Sequence, residues 1–274
     1  MNDVVKAAPK EWMRAVMGEG IGTFLMCFFG IGAVAVATLY GAYTGPFQVG
    51  IIWGIAIAIG IYATRNLSAA HFNPAVTLAM CLSGRCAWKN FPIYLGGQMI
   101  GAIFAGLALW IFFKDSVQVA LVADNLTMGV VSGPSSIWCE VFPNTAKGVI
   151  PAGIAAFSEG LGVFLLVIII FSMTEGCNLG RPSDDIFPLF IGFTVSCLIG
   201  TIGPMTNAGL NPARDIGPRI VGYLVGFRDV AFSAEVFLVY TLAPCVGSAL
   251  AALVFTKAIE PLQQSKSNDN CCRK

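Results

Sequence analysis

Charge is what this 274-residue chain has least of. Lysine, arginine, aspartate and glutamate together make up 11% of it, where soluble domains carry about 25%. With 56% hydrophobic residues and a mean hydropathy of +0.76, a soluble fold of this size would lack the polar groups to cover its surface. The shortage implies an all-α membrane protein. The net charge of +1 gives no basic surface and no nucleic-acid partner. A single histidine and nine cysteines without metal-ligand spacing leave no metal site, no cofactor and no catalytic constellation, which argues against an enzyme. Cys27, Cys81, Cys197 and Cys245 lie in or beside apolar segments and read as core filler. Cys271 and Cys272 sit in a polar tail as an exposed reduced pair, with palmitoylation as the alternative. The first fourteen residues are polar and the first apolar run is too long for a signal peptide, so no cleaved leader is expected.

Long apolar runs are what is there. A helix needs roughly 20 apolar residues to span a bilayer. Candidate spans are 13–40, 47–63, 91–113, 152–173, 186–202 and 233–256. Two further segments, 68–82 and 206–224, are too short or too interrupted to cross. Each carries the tripeptide Asn-Pro-Ala, at Asn73-Pro74-Ala75 and Asn211-Pro212-Ala213. Asparagine is a strong N-cap and proline costs nothing at the first helical position, so each motif reads as the start of a short helix. A backbone that breaks at membrane depth must line a cavity or be buried in protein.

The chain repeats itself. The tripeptides are 138 residues apart, and Glu19-Gly20-Ile21-Gly22-Thr23-Phe24-Leu25 recurs as Glu159-Gly160-Leu161-Gly162-Val163-Phe164-Leu165 at an offset of 140. Three spans per half is an odd number, so the second half must cross the membrane in the opposite sense. The expected organisation is a cytoplasmic N-terminus (1–12), a first repeat (13–113), an outer connection (114–151), a second repeat (152–256) and a cytoplasmic tail (257–274). Orientation follows from the basic residues. With the N-terminus inside, the cytoplasmic segments hold eleven, Arg14, Arg65 and Arg85 among them, and the outer segments five. Gly97, Gly101, Ala102 and Ala105 in the third span, and Gly247, Ala249 and Ala251 in the sixth, allow close helix approach.

The chemistry follows from two half-helices meeting head to head. Each N-terminus carries about +0.5 of an elementary charge, so cations and protons meet a barrier that a neutral solute does not. The Asn73 and Asn211 amides are placed to donate to a solute oxygen while backbone N–H groups hold their own carbonyl oxygens. Arg214 directly follows the second motif, and an arginine at membrane depth is costly and usually functional. Asp215 and Arg219, at i and i+4, are spaced to pair and brace their half-helix.

The duplicated Asn-Pro-Ala, the paired Glu19 and Glu159, and His71 two residues before Asn73 resemble the major intrinsic proteins, the aquaporin and glycerol-facilitator family. The likeness spans roughly 13–256. Asp215 after the arginine, Arg219 four further on, and Phe142-Pro143-Asn144 in the long connection resemble the glycerol-facilitator branch. The resemblance implies six tilted helices and two re-entrant half-helices in an inverted repeat around one pore per subunit, with subunits forming a homotetramer. It implies passive transport of glycerol, similar small neutral solutes and water across a plasma or bacterial inner membrane. By resemblance, Trp53, Ile199, Ala208 and Arg214 form the selectivity constriction, and Glu19 and Glu159 accept hydrogen bonds from loop backbone rather than couple protons. His71 then lines the pore without gating it.

Ile199 stands where bacterial facilitators tend to have glycine, and Ala208 where they tend to have an aromatic. The set Trp, Ile, Ala, Arg is similar to that of plant nodulin-26-like channels. A slip of one residue would place Gly200 at the constriction instead. Urea and metalloid acids remain alternatives to glycerol. Tyr240, where facilitators tend to have proline, favours a strict water channel, whereas Trp53 and Asp215 oppose one. Inverted repeats with broken helices also occur in ion-coupled transporters, but no second pair of intramembrane acids marks an ion site.

Overall fold

A computed structural model describes residues 10–43, 45–128, 131, 133–142 and 150–266. In chain order its principal helices are α1 (Glu11–Tyr40), α2 (Pro46–Thr64), α3 (Pro74–Leu82), α4 (Phe91–Ala123), α5 (Ala152–Thr174), α6 (Phe187–Thr206), α7 (Pro212–Val225) and α8 (Ala234–Gln264). Six of these, all but α3 and α7, are long and apolar enough to cross a membrane. At 1.5 Å per residue, α1 measures about 45 Å, against about 30 Å of hydrocarbon. By the same measure α3 reaches about 13 Å and α7 about 21 Å, too short to cross. The chain is therefore a multi-pass membrane protein with six spans and two re-entrant half-helices. Phe104, Ile111, Phe112, Phe157 and Leu253 stand exposed on the outer faces of the spans, an apolar surface that fits lipid rather than water.

The half-helices begin where the sequence places their starts. Pro74 and Pro212 are the first helical residues, and Asn73 and Asn211 cap them. The segments before the prolines, 68–73 and 207–211, are extended or turned, and Thr206 still belongs to α6, so both half-helices begin later than expected. The third span is longer than the 91–113 read from hydropathy. Lys114 and Asp115 end the apolar run but not the helix, because no breaker follows until Asn125 takes a positive φ of 52°. Val117 and Leu121 are buried in this extension. The sixth span runs on past 256 for the same reason. Cys197 is a correction: it is exposed on the outer face of α6, while Cys27 and Cys81 are buried. Pro143, Asn144, Lys147, Cys271 and Cys272 lie outside the described residues.

The packing shows the inversion. α1 packs on α4 and α5 on α8, while α2 crosses α6 at the centre. The central crossing is antiparallel: Tyr62 Oη donates to the Asp185 carbonyl at one end, and Ser196 Oγ to the Gly50 carbonyl toward the other. Between them Gly54 and Gly192 face each other, and a Cβ on either would drive into the carbonyl of the other. Those two glycines are separated by the same 138 residues as the tripeptides, so they lie on the axis that relates the halves. A Cβ on Gly101 would likewise strike the Gly20 carbonyl between α1 and α4, and one on Gly247 the Gly160 carbonyl between α5 and α8.

Candidate pore

Each half-helix is preceded by a turn built on a buried carboxylate. Glu19 accepts from Ser68 Oγ at 2.8 Å, the His71 N–H at 3.0 Å, the Phe72 N–H at 2.8 Å and Gln98 Nε2 at 2.8 Å. Glu159 accepts from Thr206 Oγ1 at 2.6 Å, the Gly209 N–H at 2.9 Å and the Leu210 N–H at 2.6 Å. The turns match at the two left-handed positions they share, and the second adds Asn207 at φ 64°. Ala70 and Phe72 in one, Ala208 and Leu210 in the other, take φ between 51° and 56°. Such left-handed conformations cost about 1–3 kcal/mol each for residues with a Cβ. The carboxylates offset that cost by satisfying N–H groups that the turn removes from regular pairing. Neither carboxylate lines the central cavity.

The asparagines join the two halves. Asn73 Oδ1 accepts from the Ala75 N–H at 2.9 Å, and its Nδ2 donates to the Leu210 carbonyl at 2.9 Å. Asn211 Oδ1 accepts from the Ala213 and Arg214 N–H groups at 3.0 and 3.2 Å, and its Nδ2 donates to the Phe72 carbonyl at 2.7 Å. An amide NH2 has two hydrogens. One from each asparagine crosses to the opposite turn, which leaves the second for the cavity that both residues line. The crossed bonds are a finding beyond the sequence reading, which placed the asparagines as caps and as donors to a solute.

That cavity lies between the two halves. It extends from Arg65, Thr174 and Phe187 at helix ends on one face to Trp53, Ile199 and Arg214. His71, Ala208 and both turns also line it. A second cavity lies on the opposite side, among Tyr43, Pro46, Val49, Pro204, Asn207 and Glu140. Trp53 and Ile199 wall both, so these two side chains stand between the cavities. Gly200 points outward, with no atom within 4 Å of where a Cβ would stand. His71 sits inside the cavity wall, its Nδ1 3.2 Å from Thr77 Oγ1 and its ring 4.9 Å from that of Tyr94.

The second half carries the charge. The Arg214 guanidinium lies 4.6 Å from the Trp53 ring centre and pairs through Nη1 with Glu140 Oε1. Asp215 holds Arg219 Nε through both carboxylate oxygens at 3.1 and 3.0 Å, both residues being buried. Arg219 further donates to the carbonyls of Ala231 at 2.9 Å and Glu140 at 2.8 Å, so it braces more than its own helix. Tyr240 is buried away from the pore and donates to the Thr206 carbonyl at 2.8 Å. Glu140 escaped the sequence reading. It lies in the connection between the halves, has no counterpart in the repeat, and as a loop carboxylate would be expected in water.

Two half-helices, crossed at their caps beside a central cavity and set among six spans, have the architecture of a membrane channel. The chain belongs to the major intrinsic protein family, whose model matches residues 6–255. A glycerol uptake facilitator protein of Haemophilus influenzae is 33% identical over 252 residues, covering 89% of this chain and 92% of that protein. A glycerol uptake facilitator protein of Pseudomonas aeruginosa is 32% identical over 240 residues, covering 86% and 85%. The X-ray structure of the aquaglyceroporin from Plasmodium falciparum matches with a TM-score of 0.80 at 24% identity, covering 93% of this chain and 99% of that one. At that identity the match shows a shared fold.

Proposed function

We propose that this chain conducts glycerol and other small neutral solutes, with water, down their gradients while excluding protons and ions. The observation that carries the reading is the pair of crossed asparagine amides at the joined half-helix N-termini, facing one cavity. A hydroxyl held by both amides must turn its lone pairs toward them, so it cannot relay a proton along the file. The half-helix dipoles add an electrostatic barrier to cations. The similarity to glycerol uptake facilitators supports glycerol as the solute. In this reading Trp53 and Ile199 face the solute's carbon side and Arg214 its hydroxyls, with Ala208 leaving room beside them. The apolar Trp53 wall suits a polyol better than water alone, and Tyr240, being outside the cavity, lends the strict water reading no support.

The reading extends to assembly and orientation. Four copies would cover the exposed apolar faces of α5 and α6, and both termini would lie in the cytoplasm with Arg14, Arg65 and Arg85. Mass measurement in detergent and labelling of single cysteines from either side of sealed vesicles test these points. The function is tested with purified protein in liposomes, by stopped-flow light scattering under glycerol, urea and sucrose gradients. Glycerol should enter well above the rate of empty vesicles and sucrose should not. Glycerol entry no faster than in empty vesicles would sink the proposal.

A further inference from the structure

Outside the pore, a hollow opens where α1 and α4 begin. The first turns of both helices and the residues that follow α2 frame it, and its walls carry three cations, Arg14, Arg65 and Lys89, against one acid, Glu11. Among the described residues neither Arg14 nor Lys89 has an ion pair, with Glu11 or with any other acid. Lys89 is exposed and makes no hydrogen bond to them either. Three like charges gathered around a cavity repel one another, so the arrangement calls for an anion.

The two arginines are held in place with donors left over. Arg14 Nη2 donates to the Asn66 carbonyl at 2.7 Å, and Arg65 Nη1 to the Asp184 carbonyl at 2.6 Å. Arg65 Nη2 lies 3.6 Å from Asp185, whose side chain is largely in solvent. A guanidinium has five N–H groups, so most of them stay free. Tyr94 is 7% exposed and lines the same hollow. Its hydroxyl accepts from the Ala69 N–H at 3.1 Å, and its own hydrogen meets no acceptor among the described residues. A buried donor without an acceptor is costly and points to a ligand that supplies one. No side chain caps the start of α1 or of α4, so both helix dipoles add to the positive potential. Trp12 in the wall and Trp88 next to Lys89 are exposed, as are Met13 and Met17 on α1. Exposed tryptophans beside an apolar face mark the level of lipid headgroups.

We propose that this hollow is a binding site for a phosphate group, of the kind that an anionic phospholipid presents. Arg14, Arg65 and Lys89 hold the phosphate oxygens, Tyr94 donates one hydrogen bond, and Trp12 packs against the group that carries the phosphate. Glu11 opposes with one charge against three. The exposed tryptophans favour lipid over free phosphate as the source. Arg65 also lines the central cavity, so an occupied site abuts the end of the pore without entering it. The site is independent of which solute the pore conducts.

The test uses the purified full-length protein in non-ionic detergent, with thermal unfolding as the readout. A ligand that binds only the folded state raises the unfolding temperature by an amount set by its concentration relative to its dissociation constant. Phosphatidylglycerol should raise it further than the same amount of phosphatidylcholine. Lys89→Gln and Arg14→Gln should each need about fivefold more phosphatidylglycerol for the same rise, the loss of one cation beside a phosphate. Lys257→Gln removes an exposed lysine near the end of α8, outside the hollow, and should behave as the parent. Inorganic phosphate, compared with chloride at equal ionic strength, separates the sources. A rise with phosphate that Lys89→Gln loses, with phosphatidylglycerol no better than phosphatidylcholine, supports the site and assigns it to a free anion. Equal losses in Lys257→Gln and Lys89→Gln reduce the effect to general surface charge and overturn the proposal. A parent that responds to neither phosphatidylglycerol nor phosphate overturns it as well. If Arg14→Gln does not fold, Lys89→Gln decides alone, since Lys89 has no partner among the described residues to strand.

Discussion

The turn before α3 and the turn before α7 share a backbone and differ in their side chains. Both hang on a buried glutamate, both place a matched pair of residues at positive φ (the second adds Asn207), and both end in an asparagine that caps its helix and reaches across to the other turn. One residue beyond the tripeptides they part. The first half continues Val76-Thr77, and the second Arg214-Asp215. Four residues past Thr77 stands Cys81, and four past Asp215 stands Arg219. A barrier to ions needs the same positive potential from both sides and is served by a symmetric frame. Recognition of a solute needs a polar side and an apolar side and is served by unlike residues hung on that frame.

Experiments can break this comparison at each level. The largest effect is expected where the frame is cut. Glu19→Ala and Glu159→Ala each orphan several buried donors at about 1–3 kcal/mol apiece. Both variants should fail to give a monodisperse folded peak on size exclusion in detergent. If one survives with parental stability, the two turns are not equivalent. Next comes the ion pair found in one half alone. Arg219→Met strands the buried Asp215 carboxylate and should cost about 3–5 kcal/mol, seen as a large drop in thermal unfolding temperature. At the position matching Asp215, Thr77→Val removes a hydroxyl bonded to His71, Asn73 and Gln98 and should cost about 1–3 kcal/mol.

The smaller effects fall on selectivity. Arg214→Val gives the second half the residue that the first half has at Val76. Because this change strands the buried Glu140 carboxylate, it is made together with Glu140→Gln; the Asn211 cap and the Asp215–Arg219 pair remain, and the double variant should admit polyols larger than glycerol, such as erythritol, severalfold faster. Unchanged solute ranking in liposomes would mean that the constriction lies elsewhere. The smallest effect is expected from Ala208→Phe. A ring there narrows the cavity beside Trp53, and glycerol entry should slow about threefold relative to water. The backbone at this position has a φ of 56°, and Phe72 already adopts 51° in the matching turn, so the fold should tolerate it.

Much of the frame was legible because its signals are local. Twenty apolar residues, a cap followed by proline, and a duplicated Glu-Gly-x-Gly-x-Phe-Leu each announce themselves within a short window. Asp215 and Arg219 were legible for the same reason, being one helical turn apart. Gly54 and Gly192 were not, because helices that are apolar all round give no hint of which face meets a neighbour. The added turns of α4 were hidden by Lys114 and Asp115, which end an apolar run without ending a helix. Glu140 was hidden most completely. Its partner Arg214 lies 74 positions further on, no repeat duplicates it, and only the folded chain shows that a connection is pressed into the mouth of the passage.

The short helices keep company with the opposite half. α3 packs against α8, and α7 against α4, while Gly54 meets Gly192 on the axis between them. In assembly terms the chain is a homodimer fused into one polypeptide, with an isologous seam at its centre and an arm exchanged across it. Each half therefore completes its interior only with material from the other, and the passage exists nowhere except at their junction. A sequence change near the axis is felt by both halves at once, whereas one at the rim, in the segment that carries Glu140, touches a single side. Solute preference can then drift at the rim while the seam stays fixed.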